Sequence, residues 1–255
     1  MLGVLLALMI GLAAQQTGVA SDVTTLKIAS PSVVAEIDTA KAEGVPVGLA
    51  WDSDGTIYLR VQGQNITRHY LITTSPQVSV AQAEETPAWA AKYWIWKSQM
   101  ASPADPSLKI EVETHRERVR STNENTGGDL AGLSGSIAGG SGGQGVGQEV
   151  AAKAALDSVM SDVITMRLKG HVVAEWANET PLPGMRIGWS PAPLQVLAYV
   201  DERARLSLID SHGHARQVPK TSNVLLPSWS LDGQQIVYLE RKDKHTYRLM
   251  KTTVR

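Results

Sequence analysis

A short unit recurs along this chain and limits what the chain can fold into. It is an extended apolar approach, a tryptophan, a turn rich in Asp, Gly or Pro, and then a β-branched and aromatic run. Its best copy is Val224-Leu-Leu-Pro-Ser-Trp229, followed by Ser230-Leu-Asp232-Gly233 and then Gln235-Ile-Val-Tyr-Leu239. Asp-Gly supplies the positive φ of a tight turn, and Ile, Val and Tyr suit a pleated, half-buried surface, so the unit reads as a β-hairpin. A first copy runs from Val45 through Trp51 and Asp52-Ser-Asp54-Gly55 to Thr56-Ile-Tyr-Leu-Arg-Val61. A degraded second copy has Trp89 and the run Tyr93-Trp94-Ile-Trp96-Lys-Ser98. A third is Gly184-Met-Arg-Ile-Gly-Trp189, then Ser190-Pro-Ala-Pro193 and Val196-Leu-Ala-Tyr-Val200.

Further short strands follow each hairpin. After the first come Arg68 to Thr73 and Val78 to Ala81; after the second, Leu108 to Thr114; after the third, Arg205 to Asp210 and Arg216 to Val218; after the fourth, Thr246 to Val254. The turns between them leave no room for crossover helices, so the sheets are antiparallel. Trp51 and Trp89 are 38 residues apart, Trp189 and Trp229 are 40 apart, and Trp89 and Trp189 are 100 apart. Removing a stretch foreign to the unit (residues 116–176, about 60) brings the long interval to about 40, and a four-stranded repeat of that period is the signature of propeller blades. The expected fold is therefore all-β: a β-propeller of about four four-stranded antiparallel blades, partial or atypical in form. The last copy shows only three strands. A segment from residues 25–37, with Thr25 to Ser30 and Val33 to Ile37 reading as strands, would supply the fourth and join the two ends of the chain.

The foreign stretch has its own character. Residues 121–147 are Gly, Ser, Asn and Thr with few apolar anchors, which reads as a flexible loop. Glu149 to Asp162 is Ala-rich with a modest apolar stripe and is predicted to be a short helix. A hairpin around Lys169-Gly170 is predicted to flank it. The expected organisation is a signal peptide over 1–20, a first propeller half over 21–120, the loop-and-helix insertion over 121–162, and a second half over 163–255.

The totals exclude several classes. Lys plus Arg number 24 and Asp plus Glu 25, so no basic field invites nucleic acid. There is no Cys, which removes disulfides, thiolate metal sites and thiol nucleophiles. Phe is absent and Trp numbers 7, so Trp and Tyr must supply the aromatic core. Residues 2–13 form an apolar run of signal length, too short to span a bilayer, and Gly18-Val19-Ala20 before Ser21 is a small-x-small cleavage site. The expectation is export to the periplasm or beyond, with no integral span after the signal is removed.

Trp51-Asp-Ser-Asp-Gly55, Trp189-Ser-Pro and Pro227-Ser-Trp-Ser-Leu-Asp-Gly233 resemble the Trp-Ser-Pro-Asp-Gly motif of the TolB-type WD40-like (PD40) propeller repeat. Ile236-Val-Tyr238 resembles the Ile-Ala-Tyr that follows it in that family. The resemblance implies an extracytoplasmic bacterial propeller serving as a protein-binding scaffold. The same repeat also occurs as an accessory domain on serine peptidases, so fold alone does not fix function. Under this reading Trp51, Asp54, Gly55, Trp89, Trp189, Trp229, Asp232 and Gly233 are structural anchors of the repeat.

No catalytic constellation is expected. Gly139-Gly-Ser141-Gly-Gly143 matches the nucleophile elbow and Gly140 to Gly145 the dinucleotide fingerprint, but neither has the strand-turn-helix context that such loops require. His212-Gly-His214 offers two imidazoles where metal sites need three or four ligands, so it reads as a solvent-exposed turn. Asp52 to Gly55 lacks the downstream Glu of a calcium loop. The approach strands before the clear Trp anchors carry no His, Asp or Glu, which disfavours a channel metal. No cofactor and no metal are expected. Trp94 and Trp96 alternate on one strand and share a face; core packing is the simpler reading, and a sugar-stacking surface is the sharper one. The expected function is a non-enzymatic protein-binding scaffold whose partner the sequence does not name. An accessory propeller of a hydrolase or peptidase system, or a carbohydrate-binding propeller, remains open beside it.

Overall fold

The computed structural model describes residues 22–40, 44–51, 55–74, 77–87, 90, 101–118, 158–178 and 187–255. Their named elements are all strands. The first sheet holds β2 (Gly44–Trp51), β3 (Thr56–Gly63), β4 (Thr67–Thr73) and β5 (Ser79–Ala83), paired in that order. The second holds β6 (Leu108–Arg118), β7 (Ser158–Leu168) and β8 (His171–Asn178). The third holds β9 (Ile187–Trp189), β10 (Val196–Val200), β11 (Leu206–Asp210) and β12 (Ala215–Gln217). The fourth is ordered β1-β15-β14-β13, from β1 (Ser32–Asp38), β13 (Val224–Trp229), β14 (Gln235–Arg241) and β15 (Thr246–Thr253). Every pairing is antiparallel.

The fourth sheet is completed from the other end of the chain. β1 pairs with β15 from Ser32 opposite Lys251 to Asp38 opposite Thr246. Upstream of it, Ile28 bridges Val254, and Lys27 and Arg255 exchange backbone hydrogen bonds. The strand expected over 25–30 is thus only a bridge, and the strand expected over 33–37 is β1.

Apolar patterning decides which sheets lie between others. In β14, Val237 and Leu239 enter one core with Leu49, Ile57, Leu59 and Val61 of the first sheet. Their neighbours Ile236 and Tyr238 enter another with Val196, Ala198, Leu206 and Leu208 of the third. Successive strand residues face opposite sides, so a continuous apolar run such as Ile-Val-Tyr-Leu marks a sheet buried on both faces. The third sheet repeats this: Leu197, Tyr199 and Ile209 leave the second core and meet Leu108, Ile110, Ile164 and Met166 of the second sheet. β6 by contrast buries Leu108 and Ile110 and exposes Lys109 and Glu111 between and after them, with Val112 and Glu113 exposed beyond. The sheets therefore stack in the order second, third, fourth, first. Among the described residues no core cluster joins the first sheet to the second.

Two expectations are corrected. The helix over Glu149–Asp162 does not exist over 158–162, because β7 begins at Ser158 and pairs in register with β6 from Arg118 opposite Ser158 to Leu108 opposite Leu168. Val159 and Met160 satisfy a helical stripe locally, but eleven paired β6 positions outweigh it. The remainder of that helix, and residues 121–147, lie outside the described residues. The hairpin around Lys169-Gly170, with both residues at positive φ, is present. It is an integral part of the second sheet rather than a flank of an insertion. Trp89 and the strand expected over 93–98 also lie outside the described residues.

Candidate metal centre

The repeat anchors are turn and packing devices where they are described. Gly233 has φ +69° and Gly55 φ +74°, as the Asp-Gly turns require. Ser230 donates its hydroxyl to Asp232 Oδ1 at 2.5 Å, and Asp232 Oδ1 also accepts the Gln234 N–H at 3.0 Å. The Gln235 N–H donates to Ser230 Oγ at 2.9 Å. Ser190 holds the same place in the third sheet: the Val196 N–H donates to its Oγ at 3.1 Å, and its hydroxyl donates to the Leu194 carbonyl at 3.1 Å. Trp229 is buried. Trp51 and Trp189 are half-buried against the first and third cores. Asp54, Trp89, Trp94, Trp96 and both glycine-rich motifs fall outside the described residues, so the proposed tryptophan binding surface does too.

The structure gathers chemistry elsewhere, at the turn between β11 and β12. Leu206 to Asp210 is buried throughout as the inner partner of β10, which carries the Asp210 carboxylate into the protein. The turn is then tied by hydrogen bonds from Gly213 N–H to the Asp210 carbonyl and from Asp210 N–H to the His214 carbonyl, both at 3.1 Å. Gly213 sits at φ +85°, and a Cβ there would lie 2.9 Å from the Val173 carbonyl of β8. The glycine therefore lets the turn rest on the second sheet, which fixes the spacing of the two histidines on either side.

Asp210 is fully buried, yet its carboxylate is well satisfied. Oδ1 accepts N–H groups from His212 at 2.9 Å and His214 at 3.0 Å, and Oδ2 accepts from Val23 at 3.2 Å. Such donors offset the cost of burying a charged carboxylate. His214 Nδ1 lies 3.3 Å from Asp210 Oδ2, and His212 Nδ1 lies 4.0 Å from Oδ1. One ligand atom each from Asp210, His212 and His214 falls within 4.8 Å of the other two. The imidazole rings stack with centroids 5.9 Å apart, and both side chains are more than half exposed.

A fourth group arrives from the N-terminal segment. Val23 is fully buried in the second core, and Arg216 of β12 donates to the carbonyls of Thr24 and Leu26. This places Asp22 Oδ1 3.8 Å from His214 Nδ1. Hydrogen bonds from the Thr24 hydroxyl and N–H lower the Asp22 pKa below the ordinary carboxylate range, and the nearby His214 and His212 add to the effect. Sequence reasoning weighed His212 and His214 as a pair and missed both carboxylates. Asp210 is signalled locally by the pattern Asp210-Ser-His212-Gly-His214. Asp22 has no local signal, because only the tertiary path of the N-terminal segment brings it there.

Elsewhere, Glu85 meets Arg60 at 3.3 Å and His69 at 3.8 Å on the first sheet, which makes it an ion-pair partner. Among the described residues, no helix is long and apolar enough to cross a membrane.

No protein-family model matches the chain, and no curated protein matches it either. The class that the fold defines is an all-β protein of several small antiparallel sheets.

Proposed function

We propose that this chain is an exported bacterial scaffold of TolB-like propeller repeats that binds a protein partner and performs no chemistry of its own. The observation that carries the reading is the repeated use of one hairpin device. Ser190 and Ser230 close equivalent turns after Trp189 and Trp229, and the strands that lead into these tryptophans pack side by side. In blade-like architectures each sheet hides its faces against its neighbours, in keeping with third and fourth sheets buried on both sides. The apolar run over 2–13 and the small residues before Ser21 support export. The contact surfaces in this reading are a sheet face and the glycine-rich connection between β6 and β7, with hydrolase-accessory and carbohydrate-binding roles as the competitors.

The test is size-exclusion of the purified chain with periplasmic extract, compared with a variant lacking residues 121–147. Co-migration of one protein at fixed stoichiometry with the full chain, and its loss from the shortened one, is the expected result. Labelling by a serine-directed hydrolase probe that disappears in Ser141→Ala would overturn it. So would a tryptophan fluorescence response to glycans that vanishes in Trp94→Ala.

A further inference from the structure

We propose that Asp210, His212 and His214, with Asp22 completing the set, form a binding site for a divalent first-row transition-metal ion of the zinc type, and that the ion clasps the N-terminal segment to the third sheet. Two imidazoles and two carboxylates form a mixed N/O donor set that suits zinc and its neighbours. Calcium and magnesium favour all-oxygen shells.

The geometry of Asp210, His212 and His214 is close to what such an ion needs, and Asp22, outside that 4.8 Å set but beside His214, would move in to complete it. Ligands about 2.0–2.2 Å from a tetrahedral ion lie roughly 3.3–3.6 Å from one another. His214 Nδ1 and Asp210 Oδ2 already stand at 3.3 Å, and His214 Nδ1 and Asp22 Oδ1 at 3.8 Å. His212 Nδ1 is 4.0 Å from the Asp210 carboxylate, and its exposed ring can close that gap by side-chain rotation. The rigid members are the right ones. Asp210 is held by three backbone N–H donors and cannot swing away, a supporting shell of the kind that orients metal-bound carboxylates. The turn itself is fixed by Gly213 against β8. The exposed members, His212, His214 and Asp22, face solvent, which gives an ion its entry path.

The site also has a structural consequence. Asp22 and Val23 belong to the segment that leads into β1, and β1 is the fourth strand of the fourth sheet. An ion held between Asp22 and the β11–β12 turn would tie this segment to the third sheet, next to the Val23 N–H bond to Asp210 that already joins them. Binding only to the folded chain raises stability by mass action.

The experiment is calorimetric titration of zinc chloride into the full chain after chelator treatment and dialysis, with melting temperature read in parallel. The expected result is one ion per chain, with affinity falling more than about tenfold, the scale of losing even a supporting group, in both His212→Ala and His214→Ala. His245→Ala, on an exposed turn of another sheet, should keep wild-type affinity. Asp22→Asn should weaken binding and abolish the zinc-dependent rise in melting temperature more than it changes the melting temperature of the metal-free chain. Equal metal-free melting temperatures across the histidine variants would show that the fold is intact. Absence of stoichiometric binding in the wild type, or affinity unchanged in both histidine variants, would overturn the site. Unchanged affinity in Asp22→Asn would overturn the clasp.

Discussion

Trp229 donates its indole N–H to the carbonyl of Gly188 at 3.0 Å, across the junction between the fourth and third sheets. The contact needs both residues as they are. A Cβ on Gly188 would stand 2.6 Å from the Pro227 carbonyl oxygen, a backbone atom that cannot rotate away. Glycine at 188 thus lets β9 and β13 approach until the indole reaches its acceptor. Gly188→Ala should destabilise the chain by about 2–3 kcal/mol, the cost of forcing atoms into a packed junction. Trp229→Phe keeps most of the apolar area and removes one hydrogen bond from a carbonyl that stays paired in the β9–β10 ladder, for about 0.5–1.5 kcal/mol. Urea unfolding decides both, and a Gly188→Ala midpoint matching wild type would show that the two strands do not approach this closely.

The Asp232 turn makes a prediction about acid. The Ser230 hydroxyl and then the Gln234 N–H hold the Asp232 carboxyl below its ordinary pKa. A carboxylate lowered by folding stabilises the protein above its unfolded pKa, and that contribution is lost as pH falls through the folded value. Glu36 and Asp243 shift the same way, Glu36 through Lys242 and Arg248, Asp243 through the N–H groups of His245 and Thr246. Thermal melts of Asp232→Asn should therefore differ most from wild type at neutral pH and converge with it as pH drops below the ordinary carboxylate range. A constant offset across that range would show that Asp232 acts without its charge.

Much of the fold was legible because strand patterning is local. The Trp-turn-strand unit located β2 and β3, β9 and β10, and β13 and β14, and the lack of a fourth strand after Thr246–Thr253 pointed to residues 25–37, of which β1 is the strand that pairs. What failed was also local. Ala-rich sequence before Ser158 and a passable stripe through Met160 favour helix on propensity, while the strand is imposed by Leu108–Arg118, about forty residues earlier in the chain and invisible to a window. The candidate site failed for the same reason. Two histidines are visible as neighbours, but Asp210 reads as the end of a strand and Asp22 carries no local signal at all. Their convergence depends on Val23 entering the second core and on Arg216 capturing the carbonyls of Thr24 and Leu26.

The pairing of β1 with β15 predicts that a residue near the start of the chain matters to a core made mostly by its end. Ile37 is 3% exposed and packs with Leu249, Leu239 and Leu59, whereas Val33 on the same strand is 54% exposed. Ile37→Ala should cost about 2–4 kcal/mol through lost burial and a residual cavity, and Val33→Ala should fall within about 0.5 kcal/mol of wild type. Denaturant midpoints for the two would be compared side by side. Equal effects would mean that β1 is not held against the fourth sheet as described.

Tyr238 gives the sharpest test of the junction between the third and fourth sheets. Its side chain is fully buried in the core shared with Val196, Leu206 and Leu208, and its hydroxyl has no hydrogen-bond partner among the described residues. Burial, and then the nearby Glu240 carboxylate, push its pKa well above the ordinary phenol range, so the ring stays neutral. A hydroxyl buried without a partner costs about 1–3 kcal/mol of desolvation. Removing it while keeping the ring should be neutral or stabilising. Tyr238→Phe is thus expected to raise the urea midpoint or leave it unchanged, while Tyr238→Ala, which empties the site, should lower stability by about 3–5 kcal/mol. A loss of more than about 1 kcal/mol in Tyr238→Phe would mean that the hydroxyl has an acceptor, and that the packing of β14 against the third sheet is more polar than its Ile-Val-Tyr-Leu run implies.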